Sequence, residues 1–347
     1  MLKSKLKFLV IGLGSMGRRR IRNLLANKIK RGNIFCFDIW KERAENVGKE
    51  YGIKVTESFK RAIADFNPDV FIVSTPPNAH DKYFLWALKN NKHFFVEHPT
   101  TDKGYNQLLN SKLKILNSKF GIVGVPSNSW RFNPSIKKIK ELIEQNSIGK
   151  VLAFQYHMGQ YLPDWHPWED SKKVYFSKKE TGACREMFAF ELGWLTFALG
   201  LSEIKNISGV TKKLSDLDMD ADDFYSAILN FENGISATTI IDLLSKKPMR
   251  TLRVVGTKGV LEWEWLDYTI KIHKSRTDSQ LIQLNKGRSE KHYVSTEDMY
   301  EEEIGLFINA LEGKKPFPFT FKENRHFLKA LFALEKSSKT GKVIPIK

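Results

Sequence analysis

The sequence predicts an α/β protein. A doubly wound parallel sheet forms the N-terminal part, and an α+β domain with a large, mostly antiparallel open sheet follows it. Three observations predict this. A short apolar strand runs into Gly12-Leu13-Gly14-Ser15-Met16-Gly17 and then into a helical repeat. Continuous apolar runs of strand length alternate with helical stretches as far as residue 126. Beyond Gly149 the runs become half-buried and are joined by Asn-Gly and Lys-Gly turns, the pattern of antiparallel hairpins. The expected division is 1–125 and 126–347, with a final helix over about 321–340 packing near the junction.

Each element of the first half has a local reason. "KFLVIGLGSMGRRRIRNLLA" places the three glycines between a strand and a helix with apolar positions at Ile21, Leu24 and Leu25. Gly12 permits a tight turn, Gly14 lets a pyrophosphate approach the backbone, and Gly17 lets the helix pack on the strand. With Ser15 and Met16 they form the candidate phosphate loop of a Rossmann fold, facing the N–H groups of the helix start. The next strand, "NIFCFDIW", ends at Asp38, 21 residues after Gly17. A carboxylate there accepts from ribose hydroxyls and repels a 2′-phosphate, which favours NAD over NADP. Of Arg18, Arg19 and Arg20, at least two are expected to be solvated helix residues. "GIKVT" is a strand, 57–65 a helix, and "DVFIVST" a buried parallel strand. "PPNAH" breaks that strand and opens a helix to about Lys89. "KHFFVEH" is the next strand, 103–118 a helix, and "FGIVGVP" (120–126) the last strand. Ligands of such sheets lie beyond the carboxyl ends of the strands. Ser74, Thr75, Pro76, Asn78, His80, Glu97 and His98 fall there and complete the cofactor candidates.

Composition narrows the class. Hydrophobic residues are 41% and charged residues 27% of 347, the balance of a globular protein with material for two domains. No segment reads as a signal peptide or membrane span. Two cysteines, one in a strand, fit a reducing cytoplasm. The net charge of +17 could serve a polyanion, yet its basic pairs are scattered and no nucleic-acid motif accompanies them. A Lys-rich solvated surface is the reading taken, with an anionic small substrate next and nucleic acid set aside. Among eight histidines, His166-x-x-Glu169 has no second ligand pair, so no metal is expected.

With these motifs in order, the sequence resembles the glucose–fructose oxidoreductase / inositol dehydrogenase / MocA family. "VIGLGSMGRRRIRNL", Asp38, "STPPNAH" and "VEHPTTD" carry the resemblance in the first half. "GVPSNSWRFNPSIKKIKELIEQNSIGKV", "VVGTKGVLEW" and "FKENRHFLKALFALEKSSKTGKVIPI" carry it in the second. The resemblance implies an NAD(P)-dependent enzyme acting on hydroxyl-bearing carbons of sugars, inositols or nucleotide sugars. It places His98 where the family has the catalytic lysine of E-K-P. It aligns "TGACREMFAFELGWL" with a helix bearing an acid and a histidine, so that Glu186 matches the acid and Phe190 stands in the histidine's place. "LPDWHPWED" followed by "GACREMFAFEL" is similar to a branch that builds bacterial surface sugars.

The residues allow that chemistry in altered form. Oxidising an alcohol needs one proton acceptor within hydrogen-bond reach, and an imidazole with an ordinary pKa of about 6.5 is adequate. His98 and Glu186 are therefore the catalytic candidates. Arg131, Trp165, His166, Arg185 and Glu191 are the substrate-contact candidates, because aromatic faces stack on sugar rings and charged groups bind hydroxyls. Helices near 180–199 and 297–312 are expected to cover one face of the second sheet. Its other face would meet a second copy, giving a homodimer or homotetramer. Two alternatives stand beside the dehydrogenase: a catalytically silent NAD-binding sensor or assembly protein, and a nucleic-acid binder.

Overall fold

The computed structural model describes residues 5–111, 121–165, 174–290 and 294–346. They fall into two compact units: residues 1–129 with 297–324, and residues 130–296 with 325–347.

In the first unit the order is β1 (Phe8–Ile11), α1 (Ser15–Ala26), β2 (Ile34–Phe37), α2 (Lys41–Tyr51), β3 (Lys54–Thr56), α3 (Phe59–Phe66), β4 (Val70–Val73), α4 (His80–Lys89), β5 (His93–Val96), α5 (Tyr105–Leu109) and β6 (Gly124–Pro126). The six strands form one parallel sheet ordered β3-β2-β1-β4-β5-β6. Its central register sets Val10 beside Cys36 on one side and Ile72 on the other. Every residue of β1 and β4 is buried, which is why these strands read as continuous apolar runs rather than alternating ones. Strand order reverses between β1 and β4, so the crevice beyond their carboxyl ends is the switch point. The expected helix over 103–118 is seen as α5, and its positions from 112 lie outside the described residues.

In the second unit α6 (Pro134–Glu144) is capped by the Asn133 side chain and leads to β7 (Val151–Tyr161). α7 (Ala183–Leu199), β8 (Ile204–Lys212), β9 (Phe224–Phe231), β10 (Ser236–Asp242), β11 (Leu244–Gly256), β12 (Gly259–Glu264), β13 (Thr269–His273) and β14 (Ser279–Gln283) follow. After α8 (Asp298–Leu311) come α9 (Phe321–Thr340) and β15 (Ile344–Pro345). Nine strands form a sheet ordered β14-β13-β12-β11-β7-β10-β9-β8-β15. One neighbouring pair departs from the expected hairpins: β7 and β10 run parallel, with Tyr156 beside Thr239. Burial alternates along β9 and β10, so one face is sealed while Ile228 and Thr238 stand exposed on the other. The buried α7 supplies Trp194, which sits among Trp130, Tyr156 and Trp263.

The helix expected near 297–312 is α8. α8 belongs to the first unit and packs on α1. The reason is visible in its contacts: Arg19 Nε donates to Glu297 Oε1 at 2.8 Å, and Asn27 Nδ2 donates to the Glu301 carbonyl at 2.9 Å.

Candidate active site

The glycine turn is enforced by backbone contact. Gly12 has φ +84°, a left-handed conformation that side chains resist, and a Cβ there would lie 2.6 Å from the Ser74 carbonyl oxygen. A Cβ on Gly17 would lie 1.9 Å from the Gly12 carbonyl oxygen, so α1 can approach the turn only through a glycine. At Gly14 the space is open. Gly14 is also the N-cap of α1 and offers no side-chain cap, and the first turn, with Ser15, Met16 and Gly17, holds no acidic residue. An anion is the ligand that such a helix start favours.

The other strand ends converge on the same edge, because all six strands are parallel. Asp38 follows β2 and is buried; Leu13 N–H donates to its Oδ2 at 2.7 Å and Trp40 N–H to its Oδ1 at 2.9 Å. Arg43 Nη1 lies 3.6 Å from Asp38 Oδ2 while its guanidinium covers the exposed Trp40 ring at 4.1 Å. After β4, Ser74 Oγ–H donates to Glu97 Oε1 at 3.4 Å, and Thr75 Oγ1 is buried with no partner among the described residues. Pro76 and Asn78 are exposed on the turn into α4. His80 Nε2 lies 2.8 Å from the Thr75 carbonyl, to which it donates when protonated there.

Beyond β5 lie Glu97 and His98. Burial pushes the His98 imidazole down to about 3; the Ser127 backbone beside it opposes that, and His80 reinforces it. His80 is pushed down to about 4, again by burial, against the pull of the Thr75 carbonyl, Glu97 and Asp81. Both rings are therefore neutral near pH 7. A buried carboxylate, an open glycine turn, a helix start without a side-chain cap and a buried hydroxyl lie on one edge and fit a dinucleotide.

Two of the three consecutive arginines that open α1 differ from the solvated residues expected. Arg19 and Arg20 are buried, Arg19 on Glu297 and Arg20 on Glu97 and Glu303. Arg18 pairs with Glu50 nearer the surface. Burying such cations is tolerable only with their carboxylates in place. The contacts of Arg20 with Glu97, Ser127 and Glu303 were not anticipated from the sequence. The helical phase of Arg20, three residues after Gly17 and four before the buried Leu24, was the available signal.

In the second unit the substrate-contact candidates are mostly committed to internal partners. Glu191 is 1% exposed, not facing solvent to receive a polyol. Its carboxylate takes the Tyr156 hydroxyl and Trp194 Nε1, each at 2.5 Å, and pairs with Arg250 Nη2 at 2.9 Å. Arg250 lies between Trp130 and Trp265, 4.0 and 4.6 Å from their ring centres. Arg131 is buried and donates to the Gly193 carbonyl at 3.1 Å. Arg185 pairs with Glu335 at 2.7 Å and donates to the Glu180 carbonyl. Glu186 accepts from the Tyr175 hydroxyl at 3.1 Å. Trp165 packs on Phe176, and its Nε1 has no partner among the described residues. His166 lies outside the described residues. Among the described residues no group of three His, Cys, Asp or Glu side chains is placed to hold a metal ion, and no helix is long and apolar enough to cross a membrane.

Comparison with known proteins agrees with this geometry. Residues 6–110 match the profile described as the oxidoreductase family with an NAD-binding Rossmann fold, and residues 136–262 match the C-terminal domain of the same family. The chain belongs to the Gfo/Idh/MocA oxidoreductase family, and its first unit is an NAD-binding Rossmann domain. It is 30% identical over 149 residues to the scyllo-inositol 2-dehydrogenase (NAD(+)) of Bacillus subtilis strain 168, a match that covers 42% of each chain. It shares its fold with levoglucosan dehydrogenase solved with NADH, at TM-score 0.82, 17% identity and 99% coverage of both chains. It also shares the fold of the WlbA dehydrogenase of Bordetella pertussis solved with NADH and UDP-GlcNAcA, at TM-score 0.75, 16% identity and 99% coverage of both.

The position of Asp38 yields an expected result. Asp38→Ala should weaken NADH binding roughly tenfold, the worth of a charge-assisted hydrogen bond. NADPH should lose far less, because Arg43 is then released towards a 2′-phosphate. Fluorescence titration with both cofactors checks this; equal losses for the two would remove Asp38 from the ribose.

Proposed function

We propose that the chain is an NAD-dependent oxidoreductase acting between nicotinamide and a hydroxyl-bearing carbon of a sugar, sugar acid, inositol or nucleotide sugar, with His98 as the proton-transfer residue. The observation that carries this is a neutral, buried imidazole on the same strand-end edge as the glycine turn and Asp38. Gly12, Gly14, Ser15, Met16 and Gly17 would hold the pyrophosphate, Asp38 the adenosine ribose, and the 74–80 and 97–98 turns the nicotinamide half. When bound, the nicotinamide accepts or returns the hydride. Oxidation of an alcohol also releases a proton, and His98 takes it at a ring nitrogen; reduction returns it. The dry surroundings disfavour imidazolium, so the ring releases the proton to water and returns to its neutral form before the next turnover. Trp165, whose indole N–H has no partner among the described residues, is the substrate contact best supported in the second unit. The 162–170 segment supports a nucleotide sugar of bacterial surface-carbohydrate synthesis, and the excess of basic residues suits an anionic substrate. The exposed face of the nine-stranded sheet supports a homo-oligomer.

A second reading has one observation of its own. The depression of His98 to about 3 makes it a weak base, and Phe190 stands on α7 where the family has a histidine. Both favour a cofactor-binding protein without turnover. The deciding experiment follows NADH absorbance while wild-type protein meets NAD and a panel of sugars, inositols, uronic acids and nucleotide sugars. A rise with one panel member is expected. A flat signal from protein that binds NADH, in both reaction directions, would establish the silent reading.

A further inference from the structure

We propose that Arg20, braced by Glu303 and Ser127, is a positioning residue that fixes the Glu97 carboxylate at the cofactor edge of the sheet. This deepens the oxidoreductase reading and rests on it only in taking that edge as the place of NAD.

The arrangement is a fork. Arg20 Nε lies 2.5 Å from Glu97 Oε1 and Arg20 Nη2 2.9 Å from Glu97 Oε2, the two-point contact that a guanidinium makes and an ammonium cannot. Arg20 has no solvent exposure, and its plane covers the rings of Phe95 at 4.7 Å and Tyr300 at 5.6 Å. The same Nη2 lies 2.9 Å from Glu303 Oε2 and donates to Ser127 Oγ at 3.1 Å. Glu303 is held in turn by the Ser127 hydroxyl, 3.0 and 3.1 Å from its two oxygens, and by Asn128 N–H at 2.8 Å. Among the three charged members only the Glu97 side chain keeps measurable exposure, 13%, and it directly precedes His98. The core could have been closed with apolar residues at lower desolvation cost. What this cluster achieves instead is a carboxylate with one allowed orientation.

The charge count adds a signature. One guanidinium faces two carboxylates. Burial pushes Glu303 up to about 7; Arg20, Ser127 and Asn128 pull it down, and Glu97 pushes it up. The charged and titratable groups around it are Arg20 of α1, Glu97 after β5 and Tyr300 of α8, with His80 of α4 sensing Glu97. Below about pH 7 Glu303 holds a proton and the cluster is neutral. Above it the cluster gains a negative charge near the site of an anionic cofactor, so NADH affinity should fall as pH rises through that value.

The experiment titrates NADH by fluorescence at 10 °C from pH 5.5 to 8.5, with thermal melts alongside, for wild type, Glu303→Gln, Arg20→Lys and Arg20→Met. Wild type should lose affinity severalfold across the range, and Glu303→Gln should flatten the dependence. Arg20→Met should bind about tenfold more weakly throughout, with Arg20→Lys between, since a point charge cannot hold both oxygens. Lowered melting temperatures with unchanged NADH affinity, and an inflection that survives Glu303→Gln, would show a merely structural cluster and overturn the proposal. If Arg20→Met fails to fold, Glu303→Gln and Arg20→Lys decide it. Turnover is not needed for these readouts. A wild type that shows the pH-linked binding but oxidises nothing would overturn the dehydrogenase reading alone.

Discussion

His98→Ala should lower kcat by about 10²–10⁴-fold on whichever panel substrate the wild type accepts, the usual worth of a positioned proton-transfer group. NADH affinity, measured alongside, separates a loss of cofactor binding from a loss of proton transfer. At saturating cofactor, the wild-type kcat profile should also lack the inflection near 6.5 that an ordinary histidine gives. Burial holds the ring neutral down to about 3, so acidification from pH 8 to 5 should leave the required protonation state unchanged. The same shift has a sign for stability. The unfolded imidazole binds a proton below about 6.5 and the folded one does not, so this contribution is fully present above that pH and is lost as pH falls towards 3. Stopped-flow measurement of hydride transfer in the variant checks the first part. Turnover within threefold of wild type would take His98 out of the reaction.

Arg250→Met should cost the second unit about 3–5 kcal/mol, the usual penalty for leaving a buried carboxylate without its cation. Glu191 is nearly sealed from solvent, and although Tyr156 and Trp194 still donate to it, they supply no net charge. The paired change Arg250→Met with Glu191→Leu should recover most of that loss, because the stranded charge goes with it. Urea denaturation followed by tryptophan fluorescence reads this directly, since Trp130, Trp194, Trp263 and Trp265 surround the pair. A single-variant loss below about 1 kcal/mol would mean that water reaches Glu191 after the substitution.

Much of the first sheet was legible because its signals are local. The glycine turn, Asp38 at the end of β2 and the buried apolar strands each declare themselves within a dozen residues, and α9 spans the 321–340 expected of it. The parallel pairing of β7 with β10 was not legible, since period-two alternation fixes which face is buried and not which strand lies alongside. The burial of Arg19 and Arg20 was hidden for a related reason. Their partners Glu297, Glu97 and Glu303 lie 77 to 283 positions away, and no periodicity reports a contact at that separation. The pairing of Glu191 with Arg250 was hidden in the same way, because a carboxylate on the candidate site helix reads the same whether it meets a sugar or an arginine.

The membership of α8 in the first unit bears on how the chain is born. A ribosome delivers the six strands of the parallel sheet by residue 126 but does not deliver Glu297 and Glu303 until nearly six-sevenths of the chain has been made. Domains generally fold in order of emergence. Here the first to emerge must wait, with Arg19 lacking its carboxylate and Arg20 one of its two, until eight of the nine strands of the second sheet have followed. The nucleotide-binding half is thus finished late, and a nascent chain halted before α8 would carry the glycine turn without the anchor beneath it.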